Sequence, residues 1–344
     1  MSRYPEKRCG VKGHDKVLAE TACPIACGSC FGENPCIDPV LGYAPLRDDL
    51  GNVACVDAEV QSGSDVTKGA VGFKEAPLDP IPDYNEAGMC TVNVHWHLGA
   101  EHRSEGEYDE SCDFEQDTTD DHRRLRGSQE GRQLSGRKGH MCCDAKEMNE
   151  NHDALVANEY DWKYCTDMHV GLTYEIHWPH SSLGHCNSEW QYQEPFMDGV
   201  LCKATIGSVD ITTALEMIGD RSVGIGVEGQ VFTIVNSDDP TSSEYMYPAW
   251  DALNGWNTGV ATDTVAYQGS TTGDAANNDD VCRGTGGAVT WHVDRGCHRL
   301  EAATMDNLCR QMLLVATDDM SIDVAPHGAR ETVSAELQTT VEMA

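Results

Sequence analysis

The sequence predicts a mostly β protein with a few helices, an α+β chain built on a central antiparallel or mixed β-sheet and stapled by disulfides. Three observations indicate this class. Short segments that alternate apolar and polar residues recur from residue 91 onward, as half-buried strands do. The chain has 33 glycines and 13 prolines, which is typical of many turns. Its 16 cysteines in 344 residues are an even and high count that favours disulfides formed in an oxidising compartment.

Four segments carry the strand pattern. In residues 91–98, TVNVHWHL, alternation places Asn93, His95 and His97 on one face, and the other face takes Val92, Val94, Trp96 and Leu98. Residues 172–178, LTYEIHW, divide in the same way, with Glu175 and His177 on the polar face. Residues 222–235 and 286–293 are rich in β-branched residues and are the other two predicted strands. Helical periodicity occurs at 210–219 and 298–315.

Composition divides the chain into regions. Residues 1–60 are a cysteine-rich segment, 61–90 connect it to a domain at 91–320, and 321–344 form a polar C-terminal arm. Within the domain, residues 120–140 are basic with little apolar content, so we expect a long exposed loop there.

Location is predicted from the cysteines and from the apolar runs. The chain starts without an apolar leader, and no apolar run approaches the roughly 20 residues that a membrane helix needs. We therefore expect a protein without a membrane span in an oxidising compartment: secreted, periplasmic or extracellular, or in an organelle lumen. Its leader would be absent from this chain.

Charge and cysteine spacing exclude some partners. The 57 acidic and 24 basic residues give a formal net charge of −33, a field that repels nucleic acid and anionic membrane surfaces. C-x-x-C occurs once, at Cys27 and Cys30, which favours disulfides over a multi-zinc protein. These patterns leave the oligomeric state open.

Three histidines form a candidate metal site. Residues i and i+2 of a strand point to the same side, roughly 6–7 Å apart, so His95 and His97 can bind one ion. His177, on a strand with the same division of faces, is the expected third ligand, and three protein ligands leave a position for water, as in catalytic zinc sites. Asn93 and Glu175 each precede a ligand by two residues, and we expect them to orient its imidazole from behind.

The residues of this site resemble a known family. The stretch VNVHWHLGAEHRS, followed by YEIHW, closely resembles the delta-class carbonic anhydrases of marine algae. The order of motifs also resembles the alpha class, since GAEH, YEIH, GSTTG (269–273) and VTW (289–291) follow the H-x-H strand as in that class. The resemblance covers residues 85–320 and implies a central sheet like that of alpha-class carbonic anhydrase.

The resemblance implies zinc-dependent, reversible hydration of CO2 to bicarbonate and a proton by metal-bound hydroxide. CO2 and bicarbonate would be its small-molecule partners. Zn2+, replaceable by Co2+ or Cd2+, would be bound by the three histidines. Glu101 would anchor a catalytic threonine, either Thr271 or Thr272, that orients the hydroxide. The other implied positions are the CO2 pocket at Val223, Ile225 and Trp291, and the candidate proton shuttles His102, His180 and His185.

Two alternatives stay open at this point. His95, His97 and Glu101 also match the first half of a cupin metal motif, in which Glu101 would be a ligand to iron or manganese. Tyr108 stands where that motif has a glycine, and its second half is not evident. The second alternative is a catalytically inactive, secreted binding protein of the same fold, although such relatives usually lose a ligand histidine.

Overall fold

A computed structural model describes residues 63–76, 79–113, 138–188, 191–192, 200, 224–239, 245, 247, 250–269, 289–315, 324–329, 332–336 and 338–339. Within them lie six strands: β1 (Cys90–Thr91), β2 (His95–Leu98), β3 (Thr173–Ser181), β4 (Ile225–Val235), β5 (Thr264–Gly269) and β6 (Val289–Glu301). The helices there are α1 (Cys143–Glu150), α2 (Ala302–Val315) and a 3-10 turn at Ala154–Val156. The predicted segment at 1–60, the helix at 210–219, residues 120–137 of the basic loop, Val223, Thr271 and Thr272 lie outside the described residues.

The sheet is organised around β3. β1 and β2 pair antiparallel with one edge of β3, one after the other, and β4 pairs antiparallel with its other edge. β6 lies parallel to β4, and β5 lies antiparallel to β6. The predicted mixed sheet is therefore confirmed.

The predicted strands are confirmed more closely than the predicted helix. β3 and β4 contain most of the segments at 172–178 and 222–235, whereas the segment at 286–293 is the start of the longer β6. The helix predicted at 298–315 begins only at Ala302, because residues 298–301 pair with Phe232–Val235 of β4. These ladder bonds and the buried Leu300 override the local helical period. β5 was not predicted.

Between β1 and β2 the chain has one residue more than the facing part of β3. Thr91 pairs with His180 and His95 pairs with His177, so four steps on one chain match three on β3. Such an insertion, as in a β-bulge, reverses the faces of the strand. The prediction that Val92 shares a face with Val94 and Trp96 is therefore wrong: Val92 packs with Ile225 and Val227, and the other two lie in the opposite core.

Two apolar cores cover the two faces of the sheet. One includes Ile225, Val231 and Trp291 beside the predicted ligands, and the other includes Trp96 and Trp178. Four disulfides join distant parts of the described chain: Cys90–Cys186, Cys112–Cys143, Cys142–Cys297 and Cys165–Cys309. They indicate an oxidising compartment. Among the described helices, none has the length and apolar character needed to cross a membrane.

Candidate metal centre

His95, His97 and His177 come together because β2 pairs with β3. His95 lies directly opposite His177, and His97 lies opposite Glu175, so all four side chains project from one face of the sheet. The ring centroids of the histidines are 5.2, 5.3 and 4.8 Å apart, and one donor atom from each lies within 4.8 Å of the others. His97 and His177 are buried, whereas His95 is half-buried.

An oxygen atom lies behind each of the three rings. Nδ1 of His95 is 2.6 Å from Oδ1 of Asn93, as the sequence predicts, and Nδ1 of His97 is 3.0 Å from the carbonyl oxygen of Gly328. Nε2 of His177 is 3.2 Å from Oε1 of Glu175, although it makes no hydrogen bond. A metal would thus meet Nε2 of His95 and of His97 and Nδ1 of His177.

Glu175 links the third histidine to the loop that follows β2. Its Oε1 accepts a hydrogen bond from Nδ1 of His102 at 2.5 Å, and its Oε2 accepts one from the backbone N–H of Glu101 at 2.5 Å. Burial alone would raise the pKa of Glu175, but the neighbouring imidazoles of His102 and His177 hold that pKa well below its usual range. Glu175 is therefore a buried carboxylate with satisfied oxygens, which fixes the geometry around it.

Glu101 reaches the site through a tight turn. Gly99 has a φ of +79°, and a Cβ there would lie 2.6 Å from the backbone of Gly139, so the turn requires glycine. Residues 138–142, here called the strap, pair with 98–100 through Gly139 and His140. The Glu101 side chain is fully buried, and its Oε1 lies 3.2 Å from Nδ1 of His97.

An apolar wall stands beside the three histidines. Trp291 is buried, and its ring centroid is 5.1 Å from that of His177. Ile225, predicted to line the pocket, belongs to the same core as Trp291. Apolar side chains therefore border the histidine cluster on this side.

The donor set fits a zinc-type ion. Three imidazoles that converge at one point, each backed by an oxygen, are the arrangement of a catalytic zinc site with an open position. A family model for delta carbonic anhydrase matches residues 86–304, more than half of the chain. The chain belongs to the delta carbonic anhydrase family. Comparisons with curated proteins and with solved structures gave no match.

One part of this candidate centre has no counterpart among the residues predicted from the sequence. Residues 324–329 run beside β2: Leu98 N–H donates to the carbonyl of His327 at 2.9 Å, and His327 N–H donates to that of Trp96 at 2.7 Å. The exposed His327 ring stacks on His95 with centroids 5.4 Å apart. These residues lie beyond the matched range. A backbone acceptor such as Gly328 has no signal in the sequence.

The histidines predicted as proton shuttles lie in three different settings. His102 is fully buried, with one ring nitrogen on Glu175 and the other 2.8 Å from the hydroxyl of Tyr267. His180 follows His177 by three residues and so projects from the opposite face of the sheet. His185 lies in a loop, with Nδ1 2.8 Å from the hydroxyl of Ser188. Of these three histidines, only His102 lies beside the candidate metal centre.

Proposed function

We propose that this protein catalyses the reversible hydration of CO2 to bicarbonate and a proton, with Zn2+ as its metal and with Co2+ or Cd2+ as possible substitutes. The observation that carries the proposal is the convergence of His95, His97 and His177 within 4.8 Å in a chain of the delta carbonic anhydrase family. A zinc ion bound by three neutral imidazoles supplies a nucleophile from water at neutral pH, and carbonic anhydrase is the standard example of that chemistry.

The chain itself supplies orientation and exclusion of water. Asn93, the Gly328 carbonyl and Glu175 would each hold one ligand ring, which fixes the nitrogen that faces the metal. The wall that contains Ile225 and Trp291 would receive CO2. Glu101 would hold the hydroxyl of Thr271 or Thr272 as a donor, so that the threonine orients the reacting water. We assign His102 a positioning role, because both of its ring nitrogens are already in contact with protein groups.

The cupin-like alternative needs Glu101 as a ligand. Oε1 of Glu101 instead lies against Nδ1 of His97, the nitrogen turned away from the cluster, and the family match also argues against a cupin. The inactive binding protein would retain the fold but not the turnover. Because the disulfides indicate an oxidising compartment, we propose a secreted, periplasmic or organelle-lumen location.

Stopped-flow measurement of CO2 hydration tests the proposal. We expect turnover by the zinc-loaded protein, its loss after a chelator removes the metal, and its recovery when Zn2+ is returned. His177→Ala should lose turnover, whereas His169→Ala, at a histidine outside the site, should retain it. Zinc-loaded protein that binds the metal tightly but hydrates no CO2 would favour the inactive binding protein, and tight iron binding through Glu101 would favour the cupin.

A further inference from the structure

Nδ1 of His97 has two oxygen atoms close to it, and they come from segments that are far apart in the sequence. The carbonyl of Gly328 accepts its hydrogen bond at 3.0 Å, and Oε1 of Glu101 lies 3.2 Å away. We propose that Glu101 is a positioning residue for the ligand His97, in addition to any contact with a threonine. A carboxylate at this place attracts the Nδ1 proton and makes Nε2 of the same ring a stronger donor to a metal.

The main chain of Glu101 is held from several sides. The backbone N–H of Glu101 donates to Oε2 of Glu175 at 2.5 Å, and the backbone carbonyl of Glu101 accepts from the hydroxyl of Thr332 at 3.4 Å. The preceding residue, Ala100, exchanges two backbone hydrogen bonds with His140 of the strap. With its main chain held in this way, Glu101 presents its side chain to His97 without a large loss of side-chain entropy.

Burial gives this contact energetic importance. Glu101 is fully buried and the His97 side chain is 9% exposed, so water screens the pair poorly. A buried carboxylate is costly unless polar or charged groups compensate it. An imidazole whose far nitrogen binds a cation is such a group, which makes the Glu101–His97 contact and metal binding mutually stabilising.

With this contact, the three proposed ligands differ in the charge of the group behind each ring. His95 has the neutral Asn93 behind it, whereas His97 and His177 each have a carboxylate, from Glu101 and Glu175. A contact through Oε1 is compatible with a hydrogen bond between Oε2 and a threonine hydroxyl. The two roles of Glu101 therefore predict different measurable effects.

The test measures zinc release from the full chain into an excess of a chromogenic chelator. We expect Glu101→Gln to release zinc about 10–100-fold faster than wild type, the usual effect of removing a carboxylate behind a zinc ligand. Thr271→Ala and Thr272→Ala should release zinc at the wild-type rate, even where CO2 hydration falls. Release from Glu101→Gln at the wild-type rate would overturn the proposal and leave Glu101 with the threonine alone.

A second measurement separates positioning from loss of the fold. In zinc-loaded protein labelled with 15N-histidine, the Nδ1–H resonance of His97 should move upfield in Glu101→Gln and stay in place in the threonine variants. If Glu101→Gln does not fold, Glu101→Asp takes its place: faster zinc release supports the role and an unchanged rate overturns it. The inference rests on the proposed metal site, but zinc release involves no CO2. Absence of hydration alone would overturn the proposed function, not the role of Glu101.

Discussion

Gly229 lies directly opposite His177 in the pairing of β3 with β4. The side chains of Glu175 and His177 occupy the space above it. A Cβ at position 229 would lie 3.1 Å from Oε1 of Glu175 and 3.5 Å from Cδ2 of His177. The first distance is shorter than an ordinary van der Waals contact, and both neighbouring side chains are buried. The absence of a side chain at Gly229 thus allows Glu175 to stand behind His177.

Gly229→Ala should weaken zinc binding. The added methyl group pushes Glu175 or His177 aside by a few tenths of an ångström, and we expect the affinity for zinc to fall about tenfold, as for other changes behind a ligand. Competition with a chelator of known affinity measures this. Gly259→Ala is the matched control, because its Cβ would also lie 3.1 Å from a side-chain oxygen, that of Asn257, away from the histidines. Equal affinities for zinc in the two variants would contradict the explanation.

His327→Pro should damage the centre more than His327→Ala does. Proline removes the N–H that His327 donates to the carbonyl of Trp96, and the next residue provides the carbonyl behind His97. Loss of such a bond costs about 1–3 kcal/mol, so the melting temperature and the affinity for zinc should both fall. Alanine keeps the backbone contacts and serves as the control. If both variants bind zinc equally, the backbone of this segment does not support His97.

The faces on which the candidate ligands lie could be predicted from sequence because the relation within each pair is local. His95 and His97 are two residues apart on one strand, and Glu175 and His177 repeat that spacing, so alternation alone places each pair on one face. The sequence could not reveal the extra residue between Thr91 and His95, since strand register depends on the partner strand.

The supports of the ligands were harder to predict. The contact between Glu101 and His97 depends on the turn at Gly99 and on the strap, which begins 37 positions after Glu101 in the sequence. The Gly328 carbonyl belongs to the backbone, which every residue possesses, and its approach to His97 follows from chain topology. Tertiary contacts of this kind leave no periodic or compositional signal.

Removing the Cys142–Cys297 disulfide should affect both stability and the metal centre. This bond ties the strap to β6 across 155 residues of sequence. For the double variant Cys142→Ala/Cys297→Ala we expect a loss of about 2–5 kcal/mol in the free energy of unfolding. We also expect faster zinc release, because the strap positions the turn before Glu101.

The control for the strap is the Cys90–Cys186 disulfide. It closes a loop of 96 residues and contains no residue of the strap. Cys90→Ala/Cys186→Ala should lower the stability that urea or heat denaturation measures. The folded form of this variant should nevertheless release zinc at nearly the wild-type rate. If both double variants release zinc equally fast, the effect is one of general stability.

Glu228 lies on the face of the sheet opposite the metal centre, among other titratable groups. Its Oε2 accepts the N–H of Trp256 at 3.1 Å and lies 3.9 Å from Nε2 of His180, while His292 is its neighbour on β6. Burial raises the pKa of Glu228 to about 7, and the charge of Asp83 adds to that rise. Burial lowers the pKa of His180 and of His292 to about 4.

The raised pKa of Glu228 predicts that the contribution of this residue to stability falls as the pH rises from 4.5 to 7. Below its ordinary pKa of 4.5, Glu228 is protonated in both the folded and the unfolded chain. Between 4.5 and 7 only the folded chain keeps the proton, so the stability contributed by that proton is lost progressively and is gone above 7. The full change is on the order of 3 kcal/mol.

Glu228→Gln isolates this effect, because glutamine stays neutral at every pH. Relative to wild type, the variant should gain melting temperature from pH 5 to pH 7, and the difference should level off above pH 7. The histidines titrate in both proteins, so their contribution to the pH dependence cancels from the comparison. The net charges of the two proteins differ by at most one unit. Glu86→Gln, at an exposed glutamate, should run parallel to wild type over the same range. A Glu228→Gln curve that also runs parallel to wild type would mean that Glu228 ionises at its ordinary pKa in the folded protein.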